Sequence, residues 1–145
     1  IGLFFTKTGC IPVDRSDRMR ALRKMREAAL ELAAQGRSML IFPQGTRIAP
    51  GASKPYEIGV FALYDSTGLP VVPVALNSGH VWPRNSWLKY PGIVDVCFLE
   101  PIAPGLTRKQ FMATLEQRIE SQMAALDAPQ QHRDRALTEE PHHGR

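Results

Sequence analysis

The sequence has little cysteine: Cys10 and Cys97 are the two in 145 residues. They form neither a C-x-x-C pair nor a disulfide framework, and read as two reduced thiols in or near the core of a cytosolic protein. Long apolar runs are also missing. No stretch approaches the roughly 18 apolar residues of a spanning helix, and Ile1-Gly2-Leu3-Phe4-Phe5 is too short and lacks the basic leader of a signal peptide. There is no internal repeat and no G-x-x-x-x-G-K-[ST] phosphate loop. Neither sign of charge dominates, with 18 Lys plus Arg against 14 Asp plus Glu, and 43% of residues are apolar, which excludes collagen-like and largely disordered chains. A chain of this length holds a hydrophobic core without staples. It begins with Ile on an apolar segment, so we expect a missing N-terminal part.

The periodicities alternate between strand and helix. Gly9 to Val13 reads as a strand, ended by Asp14-Arg15-Ser16-Asp17, where Ser16 or Asp17 offers a helix N-cap. Met19, Leu22, Met25, Ala29, Leu32 and Ala33 then recur at helical steps, with Gly36 as the stop. Ser38 to Phe42 reads as a strand buried on both faces. A loop rich in glycine and proline follows, then a short helix from Ile58 to Tyr64. Leu69 to Leu76 is a β-branched run in which Pro73 marks an edge or a bulge. Asn77 to Gly92 is a long loop, and Ile93 to Leu99 returns to strand. Thr107 and Gln110 have capping-box spacing ahead of the stripe Phe111, Leu115, Ile119, Met123 and Leu126. Two units result: an ordered domain over residues 1–127 and a disordered polar tail over 128–145. The alternation argues for an α/β layered sheet, at least partly parallel, with flanking helices.

Two arginines fall at informative places. Arg15 follows the first strand and Arg47 follows the Ser38 to Phe42 strand. If those strands are parallel, both side chains leave the same sheet edge, where open α/β sheets bind ligands. Guanidinium forks match phosphate geometry, Gly45 lets the backbone approach closely, and Thr46 adds a hydroxyl and an amide donor. Two ordinary solvated arginines fit the spacing equally. Other features carry less. Arg15, Arg18, Arg20, Arg23, Lys24 and Arg26 have Asp17 as the only acid among them, suiting either a solvated helix face or attraction to anionic lipid. Trp82, Trp87 and Tyr90 suit a lipid interface or stacking on a ligand, and more commonly local loop packing; Glu116 and Glu120 read as a solvated helix face.

Phe42-Pro43-Gln44-Gly45-Thr46-Arg47 resembles the F-P-E-G-T-R block of the 1-acylglycerol-3-phosphate O-acyltransferases. Gly9 to Arg15 looks like that family's second motif, and Val72-Pro73-Val74 like its fourth, in the family's order. The resemblance covers about residues 1–105 and implies a glycerol-3-phosphate acyltransferase-like fold. It also implies that Arg15 and Arg47, with Phe42, Pro43, Gln44, Gly45 and Thr46, bind the acceptor's phosphate. The sequence departs from the family at two points. Gln44 stands where the family has Glu, and no histidine has the H-x-x-x-x-D spacing of the family's base: His80 is followed five positions on by Asn85, and His132 by Leu137.

The function implied is acyl transfer from an acyl-CoA or acyl carrier protein thioester to a lysophospholipid acceptor, giving phosphatidic acid. This chain would supply the acceptor-phosphate-binding half and, without the dyad, would be inactive by itself. A membrane surface is an expected partner, with the protein on its cytoplasmic face; nucleic acid, metal and resident cofactor are not expected. The alternative is a non-catalytic module that binds phospholipid or phosphate.

Overall fold

The structure is a computed structural model that describes residues 17–138. Helix α1 spans Arg18–Ala34, α2 Gly59–Thr67 and α3 Arg108–Thr138; strands β1 and β2 are Val74–Leu76 and Val96–Phe98.

The ends of α1 are set by local chemistry. Asp17 Oδ1 accepts from the Arg20 N–H at 3.0 Å, satisfying a donor that the first turn leaves open. At the other end Gly36, at φ 67°, donates to Ala33 O at 3.0 Å while the Arg37 N–H reaches Leu32 O at 3.0 Å. This pair of bonds is a Schellman stop, and the left-handed residue it needs is the expected glycine. Ala21 and Ala29 are buried on α1, and Leu22 and Met25 approach α2 at Gly59. Met19, expected on that buried stripe, is 78% exposed. Met19 lies in the first turn of the helix, where no described element covers it.

The main core lies between α2 and α3. Val60 and Tyr64 pack with Phe111, Leu115 and Ile119, and Tyr56 and Ile102 close the cluster. The Tyr64 and Phe111 rings stack with centroids 4.0 Å apart. Tyr64 is buried, and its hydroxyl is satisfied by donating to Ala103 O at 2.6 Å and accepting from the Leu106 N–H at 2.9 Å. The capping box forms as expected. The Gln110 N–H donates to Thr107 Oγ1 at 3.4 Å, and the Thr107 N–H donates to Gln110 Oε1 at 3.1 Å. Helix α3 continues to Thr138, past the expected end of order at Ala128. Apolar periodicity does stop there, but Ala, Gln and Arg are strong helix formers and extend a helix that is already nucleated.

The strands differ more from expectation. Among the described residues the sheet is one antiparallel pair, β1 with β2, in the register Val74↔Phe98, Ala75↔Cys97 and Leu76↔Val96. The expected partner strand, Gly9 to Val13, lies outside the described residues, as does Cys10. Residues 38–42 join no ladder among the described residues, and they are not buried on both faces. Met39 and Ile41 turn inward, while Leu40 is 78% and Phe42 65% exposed. Extended chain alternates its side chains, and a second buried face requires a neighbour on that side. Pro73, for which an edge or a bulge was expected, lies opposite a bulge carried by the partner segment. An isolated bridge pairs Val71 with Ile102, so Val72 and Pro73 face Leu99, Glu100 and Pro101. Pro73 is fully buried and accepts the Leu99 N–H at 2.9 Å.

Candidate functional site

The block from Phe42 to Arg47 turns at once after the extended segment. The Gly45 N–H donates to Phe42 O at 2.9 Å, closing a turn with proline at its second position and glycine at its fourth. Gly45 has φ 67°, and a Cβ built there would lie 3.3 Å from Glu57 Cγ. The positive φ therefore favours glycine here, and a Cβ would press on the Glu57 side chain. Residues 54–57 clamp the turn from outside: the Glu57 N–H donates to Pro43 O at 2.8 Å, and Lys54 Nζ donates to Gln44 O at 2.7 Å and to Glu57 Oε1 at 3.0 Å.

Gln44 is tied to α3. Its Nε2 donates to Glu120 Oε1 at 3.4 Å, and the Tyr56 hydroxyl donates to the same oxygen at 2.8 Å. Glu120 is therefore a shared acceptor beneath the turn of residues 42–47, while Glu116 remains exposed as expected. Burial raises the Tyr56 phenol above its ordinary range, and the hydrogen bond and charge of Glu120, with the charge of Glu116, push the same way. Tyr56 is held as the neutral donor that Glu120 needs.

Arg47 is exposed, and its guanidinium lies over the Trp82 ring, 5.3 Å from the centroid. Lys89 Nζ lies 4.5 Å from the same centroid. Trp82 thus gathers two cations through the negative face of its ring. The loop that carries it is held to the Arg47 loop at Gly79, whose Cβ position would lie 3.1 Å from Pro50 Cγ. At its base His80 Nε2 meets Asp127 Oδ1 of α3 at 2.8 Å, both side chains being largely buried.

Of the expected site residues, the structure brings Phe42, Pro43, Gln44, Gly45, Thr46 and Arg47 into one turn. Arg15 lies outside the described residues. Glu120, Trp82, Lys89 and the His80 to Asp127 contact were missed by sequence reasoning. The histidine search looked for a carboxylate five positions on, whereas Asp127 follows His80 by 47 positions. Among the described residues no group of His, Cys, Asp and Glu is arranged to hold a metal ion. No described helix is long and apolar enough to cross a membrane.

The fold matches that of a solved acyltransferase over most of the chain. The 1-acyl-sn-glycerophosphate (LPA) acyltransferase of Thermotoga maritima superposes with a TM-score of 0.66 at 27% identity, over 76% of this chain and 47% of that one. The family model described as Acyltransferase matches residues 1–77, and the chain belongs to that family. Among curated relatives, the 1-acyl-sn-glycerol-3-phosphate acyltransferase of Pseudomonas aeruginosa is 37% identical over 111 residues, 77% of this chain and 43% of the relative. The enzyme of the same name from Limnanthes alba is 31% identical over 103 residues, 70% of this chain and 37% of the relative. The chain therefore spans less than half the length of these curated relatives.

Proposed function

We propose that the protein carrying this chain transfers an acyl group from an acyl-CoA or acyl carrier protein thioester to 1-acylglycerol-3-phosphate, giving phosphatidic acid. The acceptor's free hydroxyl attacks the thioester carbonyl and gives its proton to a base; the C–S bond then breaks, and the departing thiolate takes the bond's electron pair and regains that proton as a thiol. No residue of this chain is assigned the base's role. Its part is to hold the acceptor phosphate through Arg15 and Arg47, with Thr46 and the Gly45 turn beneath, so that the hydroxyl is oriented before it reacts. The protein works on the cytoplasmic face of a membrane, where its lipid acceptor resides, and needs no metal or resident cofactor.

One observation carries this reading. Arg47 stands exposed on a glycine turn that is fastened on both sides and places its guanidinium against Trp82, a preorganised cation at a loop matching the F-P-E-G-T-R block. Arg47→Ala in the acyl-transferring protein tests it. Acceptor kcat/KM should fall by about a hundredfold or more, as expected for losing a charge-assisted bidentate contact. Unchanged acceptor kinetics would remove the assignment. Tight binding of 1-acylglycerol-3-phosphate by a protein that never transfers an acyl group would favour a non-catalytic module.

A further inference from the structure

Of the aromatic residues in the loop between β1 and β2, Trp82 packs locally, against Arg47, Lys89 and Ser86, while Trp87 and Tyr90 turn outward. Trp87 is 100% exposed, Leu88 66%, Tyr90 51% and Ile93 64%. The loop is ordered nonetheless. The Trp82 N–H donates to Ser78 O at 2.9 Å, the Tyr90 N–H to Val81 O at 2.8 Å, and Trp82 Nε1 to Ser86 O at 3.3 Å. Its base is pinned by a reciprocal pair. Asn77 Nδ2 donates to Asp95 Oδ2 at 3.0 Å, and the Asp95 N–H donates to Asn77 Oδ1 at 2.8 Å. A frame this well bonded holds its apolar side chains outward, and several exposed apolar side chains on one short loop mark a binding surface.

The charge pattern says what it binds. Residues 78–94 contain no Asp or Glu, and Arg84 and Lys89 are exposed among the aromatics. Indole and phenol rings beside cations, with no acid between them, suit the headgroup layer of an anionic bilayer: the rings sit at the polar boundary and the cations meet lipid phosphates. We propose that residues 82–94 are the surface on which this protein lies against an anionic membrane, with Trp87, Leu88, Tyr90 and Ile93 entering the headgroup layer. Trp82 links that surface to Arg47, so the docked loop sets the guanidinium at the level of lipid phosphates. Only this last alignment rests on the proposed lipid acceptor; docking itself is measured without it.

The test uses the 145-residue chain and vesicles of phosphatidylglycerol with phosphatidylcholine, free of lysophospholipid and thioester. Brominated acyl chains should quench the tryptophan emission, and Trp87→Phe should remove most of that quenching. Trp87→Ser with Leu88→Ser should weaken cosedimentation at least about tenfold, through lost apolar burial. Arg84→Gln and Lys89→Gln should each weaken phosphatidylglycerol binding about fivefold and leave phosphatidylcholine binding unchanged. Trp87 makes no packing contact to lose, so melting of its variants should match the parent. Unquenched emission, or equal vesicle binding by the double variant, would overturn the proposal. So would self-association that the same substitutions abolish, which would assign the surface to a second copy. Docking that survives while Arg47→Ala leaves acyl transfer unaltered would reject the proposed phosphate site and keep this surface.

Discussion

Gln44 donates its side-chain amide to Glu120 on α3, at 3.4 Å. This contact gives a physical account of the neutral residue in the F-P-Q-G-T-R block. A glutamate at position 44 would set a second carboxylate against Glu120, whose oxygen also receives the Tyr56 hydroxyl. Gln44→Glu should therefore lower stability by about 1 kcal/mol at neutral pH, through like-charge repulsion in a half-buried site. Adding Glu120→Gln should recover most of the loss. Denaturant unfolding of the two single variants and the double variant closes the cycle, and additive effects would show that the two side chains do not interact.

Tyr56 predicts an alkaline limit to stability. Its phenol is raised above the ordinary value of 10.0 by burial first, and then by the hydrogen bond and charge of Glu120. Above that value the unfolded phenol loses its proton while the folded one keeps it, so the folded state binds more protons and stability falls as pH rises. The contribution is fully present below about pH 10, the unfolded phenol's range, and declines above it. Melting measured from pH 8 to 11 should show a decline that is shallower in Tyr56→Phe. An equal slope in both proteins would refute the linkage.

Gly45 should resist replacement more than an ordinary loop glycine. Gly45→Ala forces a Cβ into the left-handed region at φ 67° and to within 3.3 Å of Glu57 Cγ. The backbone term alone should cost about 1–2 kcal/mol. Because the turn carries Arg47, acceptor kcat/KM should fall together with the melting temperature. Unaltered stability and kinetics would show that the turn relaxes freely.

The contact of His80 with Asp127 should anchor the loop to α3. Asp127→Ala leaves a largely buried ring nitrogen without its partner, at a cost of about 1–3 kcal/mol. Amide exchange should then quicken at Trp82 and Tyr90, whose N–H groups are held within the same loop. Unchanged protection at both positions would mean that the loop's internal bonds suffice.

Local chemistry was legible in the sequence, and chemistry between distant segments was not. Asp17, Gly36, Thr107 and Gln110 announce helix ends because a cap is satisfied by residues a few positions away. Residues 38–42 look like a fully buried strand by composition, yet whether an extended segment has two covered faces depends on neighbours that composition does not name. The turn from Phe42 to Gly45 was readable because a turn depends on adjacent positions. Glu120 and Asp127 were not, since a solvated carboxylate and a half-buried acceptor share the same helical spacing. By composition the loop aromatics suit local packing or an interface alike, and the outward turn of Trp87 follows from the particular bonds of Ser78, Val81 and Ser86.

The bulge opposite Pro73 acts as a ratchet tooth for the short sheet. Val72 and Pro73 facing three residues permits one phase of pairing, and a slip by one position would turn Ala75, fully buried now, toward water. That phase also sets where Asn77 meets Asp95, the two posts from which the aromatic loop springs. An insertion or deletion among Leu99, Glu100 and Pro101 would re-aim a surface far along the chain from the change, with every side chain of that surface intact.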